Sequence, residues 1–213
     1  MAAPGILAIF NNCKPGREAD FEAWFQGEHL EERLAVPGFL FGRRHEALSG
    51  SSGYFNFYLV ERPEVLTSEA YLARLDDPTP LTHKIMSGGV FQNMSRTICT
   101  RVVRRGVFRG AYAVTVRFDE EPDIARLTAL IDELVRDPAI ASGEIWRAVD
   151  RAGQPVSMEE KLRGGDRKIE ACLMIDTLRQ PDAEKLGARL SGEFAGAEVG
   201  VFRVLCQLGR GDL

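Results

Sequence analysis

Histidine is scarce in this 213-residue chain: His29, His45 and His83 are the only three. None lies in a Glu-x-x-x-His or His-x-His arrangement, which would present two ligands on one helix or strand face. No metal site is therefore expected. The four cysteines, Cys13, Cys99, Cys172 and Cys206, are widely separated in strand-like runs. That spacing fits neither a zinc site nor a small disulfide framework, so reduced, buried thiols in a cytoplasmic protein are expected. No apolar run approaches the ~18 residues of a membrane span. The opening MAAPGILAIFNNCKPG has no charged start and no long apolar stretch, so neither a signal peptide nor membrane partnership is expected. Positive charge is also short, the formal net charge being -4. That disfavours a general nucleic-acid binder, which needs concentrated basic charge for phosphate, and no nucleic-acid partner is expected. The one basic cluster, Arg101, Arg104, Arg105 and Arg109, reads as a solvated strand end or linker. Gly-x-Gly-x-x-Gly and P-loop patterns are absent, and the glycine pairs at 88–89 and 164–165 stand in loop contexts. Nucleotide cofactors are not implied.

What remains is an ordinary globular composition, 45% hydrophobic and 27% charged, in a chain long enough to bury a real core. GILAIFNNC (5–13) reads as a strand that ends at the turn signal Lys14-Pro15-Gly16. A helical pattern runs from Arg17 to Pro37-Gly38. FLFGRRHEAL (39–48) alternates, with Phe39, Phe41, Arg43 and His45 expected on one side. The turn SGSSG then leads into YFNFYLVE (54–61), so the two strands read as a hairpin. Residues 64–75 read as a helix, 76–89 as irregular, and 91–103 as a fourth strand. The order is β-α-β-β-α-β. The second half repeats it, with strands at 111–118, 141–150, 168–178 and 197–208 and helices at 122–137 and 181–190. A polar, Gly-rich connection separates its two middle strands. The chain is therefore expected to be α+β: two tandem ferredoxin-like modules, 1–105 and 106–213, packed sheet to sheet as a fused, barrel-like dimer.

The segment WFQGEHLEERLAVPGFLFGRR (24–44) reads either as a site or as a helix end that reaches water. Phe21, Trp24 and Phe25 make one apolar face of the first helix, and Glu28 falls about 20° from Phe21 at ~100° per residue. A carboxylate there needs a partner, and Arg43 or Arg44 on the next strand is expected to supply it. His29 lies about 80° round, at the edge of that face, where an imidazole can exchange a proton near neutral pH. Asn11 and Asn12 end the first strand, Tyr58 lies in the third, and Asn93 and Arg96 open the fourth. Polar groups on a buried sheet face need partners that a ligand can provide. Trp24 and Phe41 are among the aromatics suited either to wall an apolar pocket or to fill the core.

Trp-Phe-x-x-Glu-His-Leu-x-Glu-Arg-Leu-Ala-Val-Pro-Gly-Phe-Leu (24–40) resembles the Glu-His, Pro-Gly segment of EthD-like proteins. YLARLDDPTPLT (71–82) and FQNMSR (91–96) add to that likeness, which covers residues 5–103. The tandem order of elements resembles the dimeric α+β barrel superfamily, which includes antibiotic-biosynthesis monooxygenases, muconolactone isomerases and stress-responsive barrel proteins. The resemblance implies a small-molecule pocket between the sheet and helices of one module. The second half has no Glu-His pair, so the pocket is expected in the first.

The residues and the resemblance together give the functional expectation. It is a cofactor-independent enzyme acting by proton transfer on a small aromatic or cyclic molecule, as an isomerase, cyclase or lyase. His29, Tyr58 and Arg96 would be catalytic, and Asn11, Trp24, Glu28, Phe41, Arg44 and Asn93 would bind substrate. The alternatives are a non-catalytic binding or stress-response protein and a cofactor-free or haem-dependent monooxygenase. A homodimer of the fused barrel is compatible with the sequence.

Overall fold

The computed structural model describes residues 3–150 and 157–213. Four strands come from each half: β1 (Gly5–Cys13), β2 (Phe39–Ser49), β3 (Tyr54–Val60) and β4 (Phe91–Arg105), then β5 (Tyr112–Phe118), β6 (Ile140–Ala148), β7 (Ala171–Thr177) and β8 (Glu198–Gly209). They close into one barrel in the order β1-β3-β2-β8-β5-β7-β6-β4. Within it, β4-β1-β3-β2 and β8-β5-β7-β6 follow the same order, so the two ferredoxin-like units repeat each other. Antiparallel pairing of β2 with β8 and of β4 with β6 joins them. A closed barrel leaves no sheet edge unpaired.

The strands are covered on both faces, which is why β1 reads as an almost continuous apolar run. Ile6, Ala8 and Phe10 point into the barrel, while Leu7 packs under the helices of the first half. The same alternation divides β2, with one exception. The register of β2 against β3 slips between Phe39 and Phe41. This bulge turns Phe39 to the helix side, although Phe41, Arg43 and His45 keep to the lumen, so Phe39 does not share their face as expected.

The helices depart further from the sequence reading. Helix α1 (Glu18–Trp24) continues through a π-turn (Phe25–His29) into α2 (Leu30–Ala35). The expected helix over 64–75 is a 3-10 turn (Pro63–Thr67) followed by α3 (Glu69–Asp76). The stretch expected to be irregular contains α4 (Pro80–Ser87), capped by the Thr79 hydroxyl and opened by proline. In the second half, α5 (Ile124–Leu134) and α7 (Gln180–Glu193) cover the sheet. The polar connection contributes α6 (Met158–Arg163); its residues 151–156 lie outside the described residues.

Glycine sets how closely each half's helices sit on its sheet. A Cβ on Gly42 would meet Leu30 at 2.5 Å, and one on Gly143 would meet Ile131 at 2.7 Å. The expected solvated arginine cluster is partly a barrel-end network, because Arg101 and Arg104 pair with buried Glu144 at 3.2 and 3.4 Å. A buried carboxylate demands such partners. All four cysteines are unpaired; Cys99 and Cys172 are buried, Cys13 and Cys206 only partly so.

Candidate functional site

Between the outer face of the first half's sheet and its helices lies a cavity of about 40 Å³. Asn11 on β1, Asn56 and Tyr58 on β3, and Arg96 on β4 reach it from the sheet. Trp24, His29 and Arg33 reach it from the helices. The strand register explains the sheet side: Ile9 on β1 lies opposite both Asn56 and Arg96, and Leu7 lies opposite Tyr58, so these side chains share one face.

The π-turn accounts for His29. The Leu30 N–H bonds to the Phe25 carbonyl, five residues back, so the turn is wider than an α-helical one. The frame shifts, and His29 moves from the expected edge to a buried position facing the cavity, with 6% exposure. Its ring lies on Trp24, with centroids 4.0 Å apart, and meets the Tyr58 ring edge-on at 6.3 Å. Glu28 swings the other way, towards α4. There its Oε1 accepts hydrogen bonds from Thr79 Oγ1 at 2.5 Å and Thr82 Oγ1 at 2.9 Å. Thr82 in turn accepts from Trp24 Nε1 at 2.8 Å. Glu28 therefore braces the tryptophan that supports His29.

The expected arginine partners of Glu28 are engaged elsewhere, because β2 alternates. Arg43 faces the lumen and pairs with Asp176 at 3.1 Å. Arg44 faces the helices and is wholly buried, its guanidinium 4.1 Å from the Phe21 ring centroid and 5.0 Å from that of Tyr54. Burial pushes the pKa of Arg44 down.

Several polar groups of the cavity lack partners. The Tyr58 hydroxyl, Arg33 Nη1 and Asn56 Oδ1 are all buried and make no hydrogen bond. An unsatisfied buried polar group costs ~1–3 kcal/mol, so three in one small space concentrate a demand that a ligand or ordered water can meet. Arg96 Nη2 donates to Tyr71 Oη at 2.5 Å. The guanidiniums of Arg33 and Arg96 each lie 5.9 Å from the Tyr71 ring centroid. Arg33 also forms a buried ion pair with Glu159 of α6, so the second half contributes to this site. Burial is the largest single effect on Arg33 and opposes its charge, but Glu159, Tyr71, Tyr58 and Glu32 together outweigh it and raise the pKa. Burial pushes the Tyr58 hydroxyl far above its ordinary value, which keeps it a proton donor.

Asn11, Trp24, His29, Tyr58 and Arg96 are thus brought together, whereas four other expected residues lie outside the lining. Glu28 stands behind the cavity. Phe41 packs in the lumen against Phe57, with Arg109 over its ring at 3.9 Å. Arg44 is held among the helix aromatics. Asn93 is exposed, with φ 51°, where β4 bulges against β1, and it borders a separate cleft beside Ser52 and Arg117. Sequence reasoning missed Arg33, Asn56, Tyr71 and Glu159. Arg33 had a signal, standing one helical turn after His29. Asn56 had one too, two residues before Tyr58 on the same strand face.

At positions of equivalent register in the second half, Leu173 and Ile175 replace Asn56 and Tyr58, and the helix-facing core there is apolar. Among the described residues, no three His, Cys, Asp or Glu side chains gather as metal ligands. At about 40 Å³ the cavity as it stands is well below the ~300 Å³ of a drug-sized ligand site, so haem or any other organic molecule enters beside His29 only if the lining opens. No described helix is long and apolar enough to cross a membrane.

No protein-family profile matches the chain, and no curated protein matches it. Solved structures match it in fold. A candidate monooxygenase from Fusobacterium nucleatum superposes with a TM-score of 0.60 and 9% identity, covering 100% of this chain and 97% of that one. An anthrone oxidase-like protein gives 0.57 and 13%, with coverage of 100% and 96%. A heme-binding protein from Thermus thermophilus gives 0.50 and 12%, with coverage of 97% and 92%. At such identities the likeness establishes the barrel fold and leaves the reaction to the site itself.

Proposed function

We propose that the chain is a cofactor-independent oxygenase of a small, enolisable aromatic molecule, with the cavity of the first half as its active site. The observation that carries this reading is the convergence of unsatisfied Tyr58, Arg33 and Asn56 groups beside His29 in an aromatic-walled space. His29 would take a proton from the substrate's activated carbon. Tyr58, held protonated, and Arg96 would stabilise the oxyanion that results. An electron-rich carbanion can itself reduce dioxygen, so the substrate supplies the electrons. Oxidation of a methylene to a carbonyl then consumes one dioxygen and releases one water. Fold relatives described as a monooxygenase and as anthrone oxidase-like support this choice over an isomerase or lyase.

The test is dioxygen uptake with anthrone as probe. Uptake should match anthrone consumed one to one, with anthraquinone as product. His29→Ala should lower kcat by about 10²–10⁴-fold. Because the ring is buried against Trp24, the fold of this variant is checked by circular dichroism, and His29→Asn takes its place if the alanine variant unfolds. Proton exchange at the acidic carbon without oxygen uptake would instead favour the isomerase or lyase reading. An unaltered rate in His29→Ala would remove the histidine from the mechanism.

A further inference from the structure

The connection between the second and third strands is where the two halves differ most. In the first half it spans four residues, 50–53; in the second it spans 22, 149–170. Connections longer than ~12–15 residues inside a compact domain are usually functional. This one lays α6 across α3 and α4 of the other half. Among the described residues its N-terminus is tied down by the Met158 N–H donating to Asp76 Oδ1 at 3.0 Å and by the Ser157 cap. From there Glu159, only 4% exposed, reaches the cavity and pairs with Arg33.

At about 40 Å³ the cavity is far smaller than the ~300 Å³ typical of organic-ligand sites, so an organic ligand must displace something. Glu159 lies in the lining, on a helix that rests on α3 and α4. What replaces it is constrained by charge. Arg33 is buried, and removing its carboxylate without substitution strands a cation, which is strongly unfavourable. A neutral ligand would do that unless, like an enolisable ketone, it gives up a proton in the site. A ligand bearing its own carboxylate or oxyanion would not, and it would also meet Arg33 Nη1 and the Tyr58 hydroxyl, both without partners now. We propose that the cavity takes a small organic oxyanion (carboxylate, phenolate or enolate) which takes over Arg33 from Glu159 as α6 lifts. Glu159 is then an internal stand-in for the ligand. This rests on the reading of the cavity as a ligand site, but not on its chemistry.

Calorimetric titration with benzoate, compared with neutral benzamide of the same shape, tests the proposal. Glu159→Gln should bind benzoate roughly tenfold or more tightly than the wild type, because the competing carboxylate is gone. Benzamide should bind weakly to both. Asp76→Ala, outside the cavity, should also tighten benzoate binding by loosening α6, and it decides the matter if Glu159→Gln fails to fold. Adding Arg33→Met should erase the gain in either background. Unchanged benzoate affinity in the folded variants would overturn the proposal. Equal gains for benzamide would overturn the oxyanion preference while leaving a ligand site in place. Benzoate binding as expected, without oxygen uptake on anthrone, would keep this inference and sink the oxygenase reading.

Discussion

His45 lies in the barrel lumen, stacked on Phe55 at 4.8 Å and flanked by Phe57 at 6.0 Å. Its Nδ1–H donates to the Phe55 carbonyl at 2.9 Å, which fixes the neutral tautomer. Burial, helped by the nearby Arg43 charge, lowers its pKa to about 3. The unfolded chain takes up this proton near pH 6.5, whereas the folded one does not until about pH 3. Stability is therefore lost as pH falls through that window, by up to ~1.4 kcal/mol per pH unit from this group. Asp176, raised to about 6 by burial against the pull of Arg43, acts in the opposite sense between pH 3.8 and 6. In His45→Phe the Asp176 contribution persists and the histidine's disappears. The variant should gain on the wild type progressively as pH falls from 6.5 towards 3, measured by urea unfolding at several pH values. No gain would mean that His45 is protonated inside the fold. Residue types of this kind were visible in the sequence, but their faces were only partly so. His29, Tyr58, Asn11, Trp24 and Arg96 share a cavity, yet neither Arg43 nor Arg44 holds Glu28 as expected, because a carboxylate 133 residues away claims the first and aromatic rings hold the second.

Strands were legible as elements because both faces of each are buried and the turns between them carry glycine or proline. Helices were less so. A π-turn leaves no mark in apolar periodicity, since the pattern on either side of Phe25–His29 remains helical and only the frame shifts. That shift moved Glu28 off the apolar face and His29 into the cavity. Helix α4 was announced by Thr79-Pro80 but is too short to show a period. Helix α6 was hidden because its stability comes from α3 and α4, far away in sequence. Gly27, within the π-turn, faces open space, and a Cβ there would meet nothing within 4 Å. Gly27→Ala should thus stabilise the protein by about 0.5–1 kcal/mol, the usual helical penalty of glycine, read from a urea or thermal melt. A loss of stability would show that the wide turn needs glycine's freedom.

The repeat of β-α-β-β-α-β was the most legible feature of the whole molecule, since it depends on the order of elements rather than on any one residue. The sequence could not show that the halves would join through continuous hydrogen bonding at β2–β8 and β4–β6, because strand partners so distant carry no local signal. Those seams make another expectation testable. A chain cut between Gly106 and the highly exposed Val107 should re-form the barrel when both pieces are present, as a one-to-one complex in analytical ultracentrifugation. Either piece alone should self-associate, because it exposes lumen side chains and two sheet edges. Pieces that remain folded monomers would show that the seams are dispensable. The unequal faces of the two halves, polar around Tyr58 and aliphatic around Ile175, have one more consequence. A symmetric assembly of identical modules holds its binding site twice and can pass information between copies. A barrel whose two halves differ in this way is expected to take one equivalent of ligand per chain, read from calorimetric stoichiometry. A hyperbolic saturation curve is then the expected outcome, with control exerted by what covers the cavity rather than by cooperation between twins, and two equivalents per chain would refute it.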